Sequence, residues 1–266
     1  LGVIVFVPRQ VQLQINLRTS LMQLFGGLLI VAAAAEAWRQ FNAHRDGQII
    51  DRFSRAVEHL ASENTDIRIG GLHMLEGIAN GSPKIRRHVQ ITIGSFVRNR
   101  VPCDVGRPLG QIDESLPRLR TRAPDVQTAL AILSRPPDAA ELSLSRVDLR
   151  SLDLEDRQLS GSDFSRCNLA GAGLRGTRLD ECDFHATDLR QADLRGASLR
   201  KASLRNAYLE GADLRDADLT EADLRGADMR ALNLDQARLD GAHVDAKTIW
   251  PPGFARFGVS ASLFSD

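Results

Sequence analysis

Apolar residues at every fifth position restrict the fold of this chain more than any other feature. From Leu144 to Val244, all twenty-one positions at steps of five are apolar, and all but Phe164, Phe184, Met229 and Val244 are leucine. A helix repeats every 3.6 residues and a strand every two, so neither would place these residues on one face. The spacing favours a chain that turns a corner after every five residues.

A small residue usually stands two places before each of these central positions, as Ala192, Ala197 and Ala202 do. One large and one small side chain per five residues would fill the inside of a closed coil. Neighbouring coils would be joined by backbone hydrogen bonds at about 4.8 Å, which gives a solenoid stabilised by nearest-neighbour stacking.

Two departures from this pattern predict local irregularity. Arg157 occupies an inward position, where an unpaired charge is too costly to bury, so we expect a bulge or an outward turn there. Residues larger than alanine stand at inward positions near both ends of the tract, so we expect irregular ends. These residues are Leu142, Val147, Leu152 and Leu232.

The stretch "DLRQADLRGASLRKASLR" resembles the pentapeptide-repeat family, whose motif is A(D/N)LXX. The resemblance implies a right-handed quadrilateral β-helix with four pentapeptides per coil and with the central and small residues pointing inward. Twenty-one units would make about five coils, a rod about 25 Å long. Upstream segments, including "GQIIDRFSRAVEHLASENTDIRIGGLHMLEGIA", are similar to those of membrane-anchored actinobacterial members.

The apolar run "LMQLFGGLLIVAAAA" predicts a membrane span over about residues 20–38. Those residues give about 28 Å of helix, close to the thickness of the bilayer hydrocarbon. Arg18 and Arg39 flank the run, and Trp38 suits an interfacial position. A buried core helix and a secretory signal remain alternatives. Positive charge is greater after the span, which predicts that the following chain lies in the cytoplasm.

The predicted fold class is α+β, with an N-terminal transmembrane and helical region followed by the β-helix. Apolar stripes with helical period indicate a helical unit upstream of the repeats, and Ser82 and Pro83 separate two of its helices. The predicted domains are a membrane-anchor region at 1–40, a helical unit at 41–100, a Pro/Arg-rich linker with a short helix at 101–141, the β-helix at 142–245, and a C-terminal cap and tail at 246–266.

No residue pattern indicates catalysis, a metal site or a cofactor. The three cysteines, Cys103, Cys167 and Cys182, form no CxxC pair,. Cys167 and Cys182 occupy inward positions, where we interpret them as small core residues. The glycines follow no phosphate-loop pattern. The chain is therefore predicted to be non-enzymatic and to need no cofactor.

Outward charges predict a candidate interaction face. Residues twenty apart should stack in columns on a four-sided coil, and aspartate columns should lie two residues from arginine columns and offset them. A self-compensating solvated surface is the simpler interpretation. The alternative is a docking face for a protein partner, formed by Arg175, Arg195, Arg215, Arg190, Arg230, Asp193 and Asp213.

We therefore predict a membrane-tethered scaffold at the cell membrane, with its helical and repeat domains in the cytoplasm. Its partner would be an unidentified protein, with no direct contact to nucleic acid. The alternative function is a DNA mimic that regulates a type II topoisomerase, as some pentapeptide-repeat proteins do. That role calls for a strongly acidic surface, whereas residues 142–245 carry 20 acidic and 15 basic residues, a difference of −5.

Overall fold

The computed structural model describes residues 47–103, 118–135 and 141–254. The chain divides into two compact units, Leu1–Arg52 and Phe53–Asp266. Within the described ranges, no helix combines the length and apolar character needed to cross a bilayer. The predicted span at residues 20–38 lies outside these ranges.

Helices precede the repeats, as predicted. Helix α1 covers residues 47–60. It is followed by α2 (Thr65–Gly81), α3 (Pro83–Arg100), α4 (Leu119–Arg122) and α5 (Pro124–Leu133). The repeats then run to the end of the described chain, interrupted by one short 3₁₀ turn, Leu234–Gln236.

Local sequence explains where these helices begin and how closely they pack. The Asn64 side chain accepts a hydrogen bond from the Asp66 N–H at 2.8 Å and caps α2,. Proline at the first position of α3 loses no helical hydrogen bond,. At Gly71, a Cβ atom would lie 2.9 Å from the Ala56 carbonyl oxygen, so only glycine permits this approach of α2 to α1,.

A buried ion pair joins the helices. Arg68 on α2 and Asp125 on α5 are 4% and 0% exposed, and their Nε–Oδ2 distance is 2.6 Å. The remaining Arg68 donors reach the carbonyls of Ser62 and Glu63 and the Thr65 hydroxyl. Burial alone would raise the pKa of Asp125, but hydrogen bonds from Arg68 and Arg100 outweigh it and hold the pKa below its usual range,.

The repeats form a solenoid with twenty residues per coil. Parallel bridges join residues twenty apart, as in the series Asp188, Tyr208 and Asp228. Five residues per side and twenty per coil give four sides. In the described chain, each side contributes one bridging residue per coil, and the bridges do not extend into longer strands. We name the sides by their first bridging residues: the Ser143, Asp148, Asp153 and Gln158 sides.

All twenty-one central residues from Leu144 to Val244 are buried, as the period of five predicts. The central residue is the first residue of a four-residue turn, and the third residue of that turn commonly has positive φ, as in Lys201 (57°) and Gly211 (71°). The turn is closed by a bond such as Ala207 N–H to the Leu204 carbonyl, 3.0 Å. Positive φ at this position is typical of a type II turn. The chain therefore bends at every corner and returns the next small residue to the interior.

Polar residues in the small inward positions are buried with hydrogen-bond partners. The hydroxyls of Thr177 and Thr187 donate to carbonyls of the preceding coil at 2.8 and 2.7 Å. The thiols of Cys167 and Cys182 make the same kind of contact at 2.9 and 3.0 Å. Burial raises the pKa of both thiols to about 12. These cysteines therefore serve as small core residues with weak donors.

The helical region covers the first coil, which would otherwise expose an unpaired backbone edge. On the Asp148 side, Val101–Cys103 pair antiparallel with the repeat chain through Pro102 and Val147. On the Asp153 side, the Gln127 amide donates to the Asp153 carbonyl at 2.5 Å and accepts from its N–H at 3.2 Å. A side-chain amide thus replaces the backbone of a missing coil.

Arg157 keeps partial access to solvent at its inward position, and the bulge expected as one possibility does not form. It is partly exposed, unlike the buried residues at neighbouring inward positions. The twenty-residue register is kept on both sides of it, because Arg178 still donates to the Arg157 carbonyl at 2.8 Å. Partial exposure, without a bulge, therefore accommodates the charge.

The last coils are irregular at Leu232, as expected, although the sequence did not predict which residue would replace it inside the coil. Leu232 is 56% exposed, and Ala231 takes the inward position in its stead. The turn after Met229 is one residue shorter, and the following side is one residue longer, with Asn233 at φ 54°. The Asp213–Leu232 bridge accordingly spans nineteen residues. Beyond it, Trp250 stacks on Phe254 with ring centroids 5.3 Å apart.

Candidate interaction surface

Asp-x-Arg triplets form clamps on the outside of the solenoid. The aspartate precedes the central residue and the arginine follows it, so both side chains leave the coil on the same side. Arg190 donates through Nε and Nη2 to the two carboxylate oxygens of Asp188 at 2.9 and 2.8 Å. This fork-to-fork geometry is the strongest form of an arginine–carboxylate pair.

The clamp recurs along the rod. The Asp193 carboxylate binds Arg195 at 2.7 and 2.5 Å, and that of Asp228 binds Arg230 at 2.9 and 2.6 Å. The same pairing joins Asp148 to Arg150 and Asp223 to Arg225. In each clamp the aspartate also accepts the backbone N–H of its arginine, which fixes the carboxylate relative to the coil.

The clamps change the titration of their members. Hydrogen bonds from the Arg195 guanidinium hold the pKa of Asp193 below its usual range, although partial burial acts in the opposite direction. The Arg230 guanidinium does the same to the pKa of Asp228. Both carboxylates therefore stay ionised at neutral pH, and the charges of each clamp largely cancel locally.

Five of the seven candidate residues lie on the Asp153 side. Arg175, Arg195 and Arg215 follow one another in a column, and two coil rises of about 4.8 Å separate the first from the last by about 10 Å. Asp193 and Asp213 are bridging residues of the same side. Among the described residues, no ion pair engages the side chain of Arg175 or Arg215, and both are exposed. An internally paired clamp thus lies between two exposed guanidinium groups that make no ion pair with a described residue.

The other two candidates, Arg190 and Arg230, lie on the neighbouring Asp148 side. Arg190 is bound by Asp188, which is only 3% exposed. Arg230 lies 3.5 Å from Glu210 in addition to its clamp with Asp228. The seven residues therefore extend around one corner of the rod, and those of the Asp148 side have local partners.

Sequence reasoning paired arginine and aspartate columns only in a general way and missed the individual clamps. The signal was present, because the triplets "DLR" and "DMR" place both charges on one side of the same central residue. Asp188 and Asp228 are consequently as much a part of this surface as the arginines. Within the described ranges, no cluster of residues is suited to binding a metal ion.

Comparison with known proteins agrees with the repeat geometry. The family model "Pentapeptide repeats" matches in three overlapping segments, residues 143–180, 177–216 and 207–244. No curated protein matches the chain.

Several solved structures are similar over the repeats. Rfr23 from the cyanobacterium Cyanothece 51142 is 34% identical, with 38% of this chain and 65% of that chain covered and a TM-score of 0.24. QnrB1, described as a plasmid-mediated fluoroquinolone resistance protein, is 19% identical, with coverages of 40% and 60% and a TM-score of 0.27. This chain thus spans less than two thirds of either protein.

A pentapeptide repeat protein of Nostoc PCC 7120 is 38% identical to this chain over 35% of its length. The match covers 77% of that protein, with a TM-score of 0.18. The residues that the family model matches are those whose apolar period, inward packing and twenty-residue register are described above. This chain belongs to the pentapeptide-repeat family.

Proposed function

We propose that this chain is a non-enzymatic scaffold whose charged solenoid wall binds a protein partner. The interior positions are filled by buried side chains, so recognition must use the outside of the rod. The observation that carries the proposal is the column on the Asp153 side, where exposed Arg175 and Arg215 flank the Asp193–Arg195 clamp. A fixed coil spacing presents these charges in a constant pattern, which favours specific recognition.

A partner suited to this column would carry carboxylates about 10 Å apart, matching two coil rises. The central clamp would contribute little affinity, since its charges already satisfy each other. The two flanking guanidinium groups would supply the new ion pairs. Charge pairs at the rim of such an interface affect the association rate and the specificity more than the final affinity.

The proposal includes a tether to the cell membrane through residues 20–38, with the helical and repeat regions in the cytoplasm. It is supported by the length and apolar character of that segment and by its flanking arginines,. The tether is tested by fractionating cells that express either the full chain or a variant lacking residues 1–40. The full chain should sediment with membranes and the truncated variant should not.

Crosslinking tests the interaction surface. A photoreactive amino acid at position 215 of the full chain should yield a specific adduct in cells. The same group at Arg178, an exposed residue on the Gln158 side, is the matched control and should yield less of that adduct. Absence of an adduct above background at position 215 would remove the basis of the scaffold proposal.

A supercoiling assay with purified gyrase distinguishes the scaffold proposal from the alternative, in which the chain regulates a type II topoisomerase. The clamps neutralise carboxylates along the wall and interrupt the continuous negative charge that mimicry of a duplex requires,. The scaffold proposal expects no change in supercoiling at concentrations that saturate the crosslinking partner. Stoichiometric inhibition would favour the alternative.

A further inference from the structure

The Ser143 side of the first coil keeps one backbone donor available. In later coils of this side, the equivalent N–H groups donate to the coil before, as from Asp163 to the Leu142 carbonyl at 2.7 Å. The N–H of Ser143 has the same direction, toward the position of a missing coil. No described residue accepts its hydrogen bond, whereas acceptors are present for the corresponding N–H groups of Asp148, Asp153 and Gln158.

A preceding coil would provide both a hydrogen-bond donor and an acceptor to this edge, whereas Arg98 of α3 provides only a donor. Its Nη1 donates to the Ser143 carbonyl, and its Nη2 donates to the Ser95 hydroxyl at 2.9 Å. The carbonyl of this edge is therefore occupied by a positively charged side chain. Within the described ranges nothing accepts from the N–H beside it, so an incoming carbonyl could bind there.

A trough of about 630 Å³ runs between α3 and this edge. Three arginines and one glutamate contribute its charges, and the exposed Ile91 contributes apolar surface. Its lining includes Arg86, Arg87, Ile91, Arg98, Leu142 and Ser143.

The charge of the trough comes from α3, which carries five basic and no acidic residues in the sequence "PKIRRHVQITIGSFVRNR". Arg87 is exposed and makes no ion pair within the described ranges. Ile91, one helical turn further on, is 57% exposed. Glu141 is the acidic residue of the lining and opposes an anionic ligand, but the arginines outnumber it.

We propose that this trough binds an extended acidic segment of a partner protein, which pairs with the Ser143 edge as an added strand. A carbonyl of the segment would accept the Ser143 N–H, its carboxylates would meet Arg87 and Arg98, and an apolar side chain would cover Ile91. Addition of a strand to an open edge gives affinity through the backbone and specificity through alternate side chains. This surface is distinct from the charged column on the Asp153 side.

The molecule already uses this mode of pairing on the next side. Val101–Cys103 lie extended along the Asp148 side, with the Asp148 N–H donating to the Val101 carbonyl at 2.9 Å. The Cys103 N–H donates to the Arg146 carbonyl at 2.8 Å. An acidic segment on the Ser143 side would continue the same edge around the corner.

A peptide is favoured over an anionic membrane or a nucleic acid because of the donor at the edge. The Ser143 N–H and the exposed side chain of Ile91 can meet backbone and side-chain groups of an extended chain,. Phosphate-rich surfaces would use the arginines but would not need the N–H. Removal of the Ser143 N–H should therefore weaken binding of a peptide but not of a membrane or a nucleic acid.

Fluorescence anisotropy with a labelled octapeptide of alternating glutamate and valine tests the proposal on the full chain. The peptide of alternating lysine and valine is its charge control. Arg87→Glu should weaken binding about tenfold or more, because it reverses a charge at the contact. Arg178→Glu, the matched change on a distant exposed arginine, should leave binding unaltered.

Ser143→Pro removes the donor and should also weaken binding, whereas Ser143→Ala should not. Proline is tolerated at an edge whose N–H faces outward. If the proline variant does not fold, exchange of the Ser143 amide in the unaltered chain replaces it, and the acidic peptide should slow that exchange. The proposal is overturned if the acidic peptide fails to bind at about 1 mM. It is also overturned if the donor proves irrelevant, or if anionic vesicles or duplex DNA bind this site in preference to the peptide.

Discussion

Truncation of one central leucine gives the sharpest stability prediction. Leu209 is fully buried in the middle of the rod, between the equally buried Leu189 and Met229 of the adjacent coils. Leu209→Ala removes three carbon atoms, which is worth about 2.4 kcal/mol at about 0.8 kcal/mol per buried CH₂. Because backbone hydrogen bonds hold the coils apart, collapse around the gap should be limited, and the total loss should approach about 3–5 kcal/mol.

Leu232→Ala is the matched control, since the same atoms are removed from a leucine that is 56% exposed. Its effect should stay within about 0.5 kcal/mol. Urea unfolding of the full chain, followed by far-UV circular dichroism, measures both variants. Equal losses of unfolding free energy in the two variants would contradict this prediction, because burial of the central leucines would then not stabilise the coil.

Three further results are expected. Asp125→Asn should destabilise the chain by about 3 kcal/mol in thermal or urea unfolding, because Arg68 would stay buried without a counter-charge; a loss below about 0.5 kcal/mol would contradict this. The pKa of Asp125 is lowered in the folded chain. The stabilisation that its ionised carboxylate provides is therefore fully present above the pKa of the unfolded chain, about 3.9. This stabilisation is lost as the pH falls through the pKa of Asp125 in the folded chain. The difference in unfolding free energy between the unaltered chain and the Asp125→Asn variant should therefore shrink only in acid. Arg190→Gln should cost on the order of 2 kcal/mol, because it leaves the nearly buried Asp188 without its charged partner,; an unchanged urea midpoint would contradict the importance of the clamp.

Much of the repeat region could be predicted from sequence because every coil uses the same short-range code. Central residues, small inward residues and outward charges each have a fixed place within five residues. The exchange between Leu232 and Ala231 was missed because the period of leucines continues unbroken through Met229 and Leu234. The one-residue shift of alanine in "MRALNL" was the available signal.

The closure of the first coil could not be predicted in the same way. Gln127 and Arg98 are ordinary polar residues of helices, and nothing in their spacing indicates that they bind the backbone of Asp153 and Ser143. Their role depends on how α3 and α5 dock against the edge, which is a long-range property. The individual Asp-x-Arg clamps could be predicted in part, because the triplet is visible in the sequence but its geometry depends on the turn.

A cysteine scan of one repeat, residues 212–216, measures side-chain direction along the chain. The scan requires Cys103→Ser, because Cys103 is partly exposed. Cys167 and Cys182 can remain, since burial keeps both thiols protonated and shielded from reagent,.

Maleimide labelling of the native protein, followed by mass spectrometry, most directly tests whether the residues that recur at every fifth position fill the inside of a closed coil. Cysteines at positions 213, 215 and 216 should react readily, while those at 212 and 214 should react only after unfolding. The same pattern should recur five residues further on. Equal labelling at all five positions, or protection that recurs every three to four residues, would contradict the solenoid and with it the scaffold built upon it.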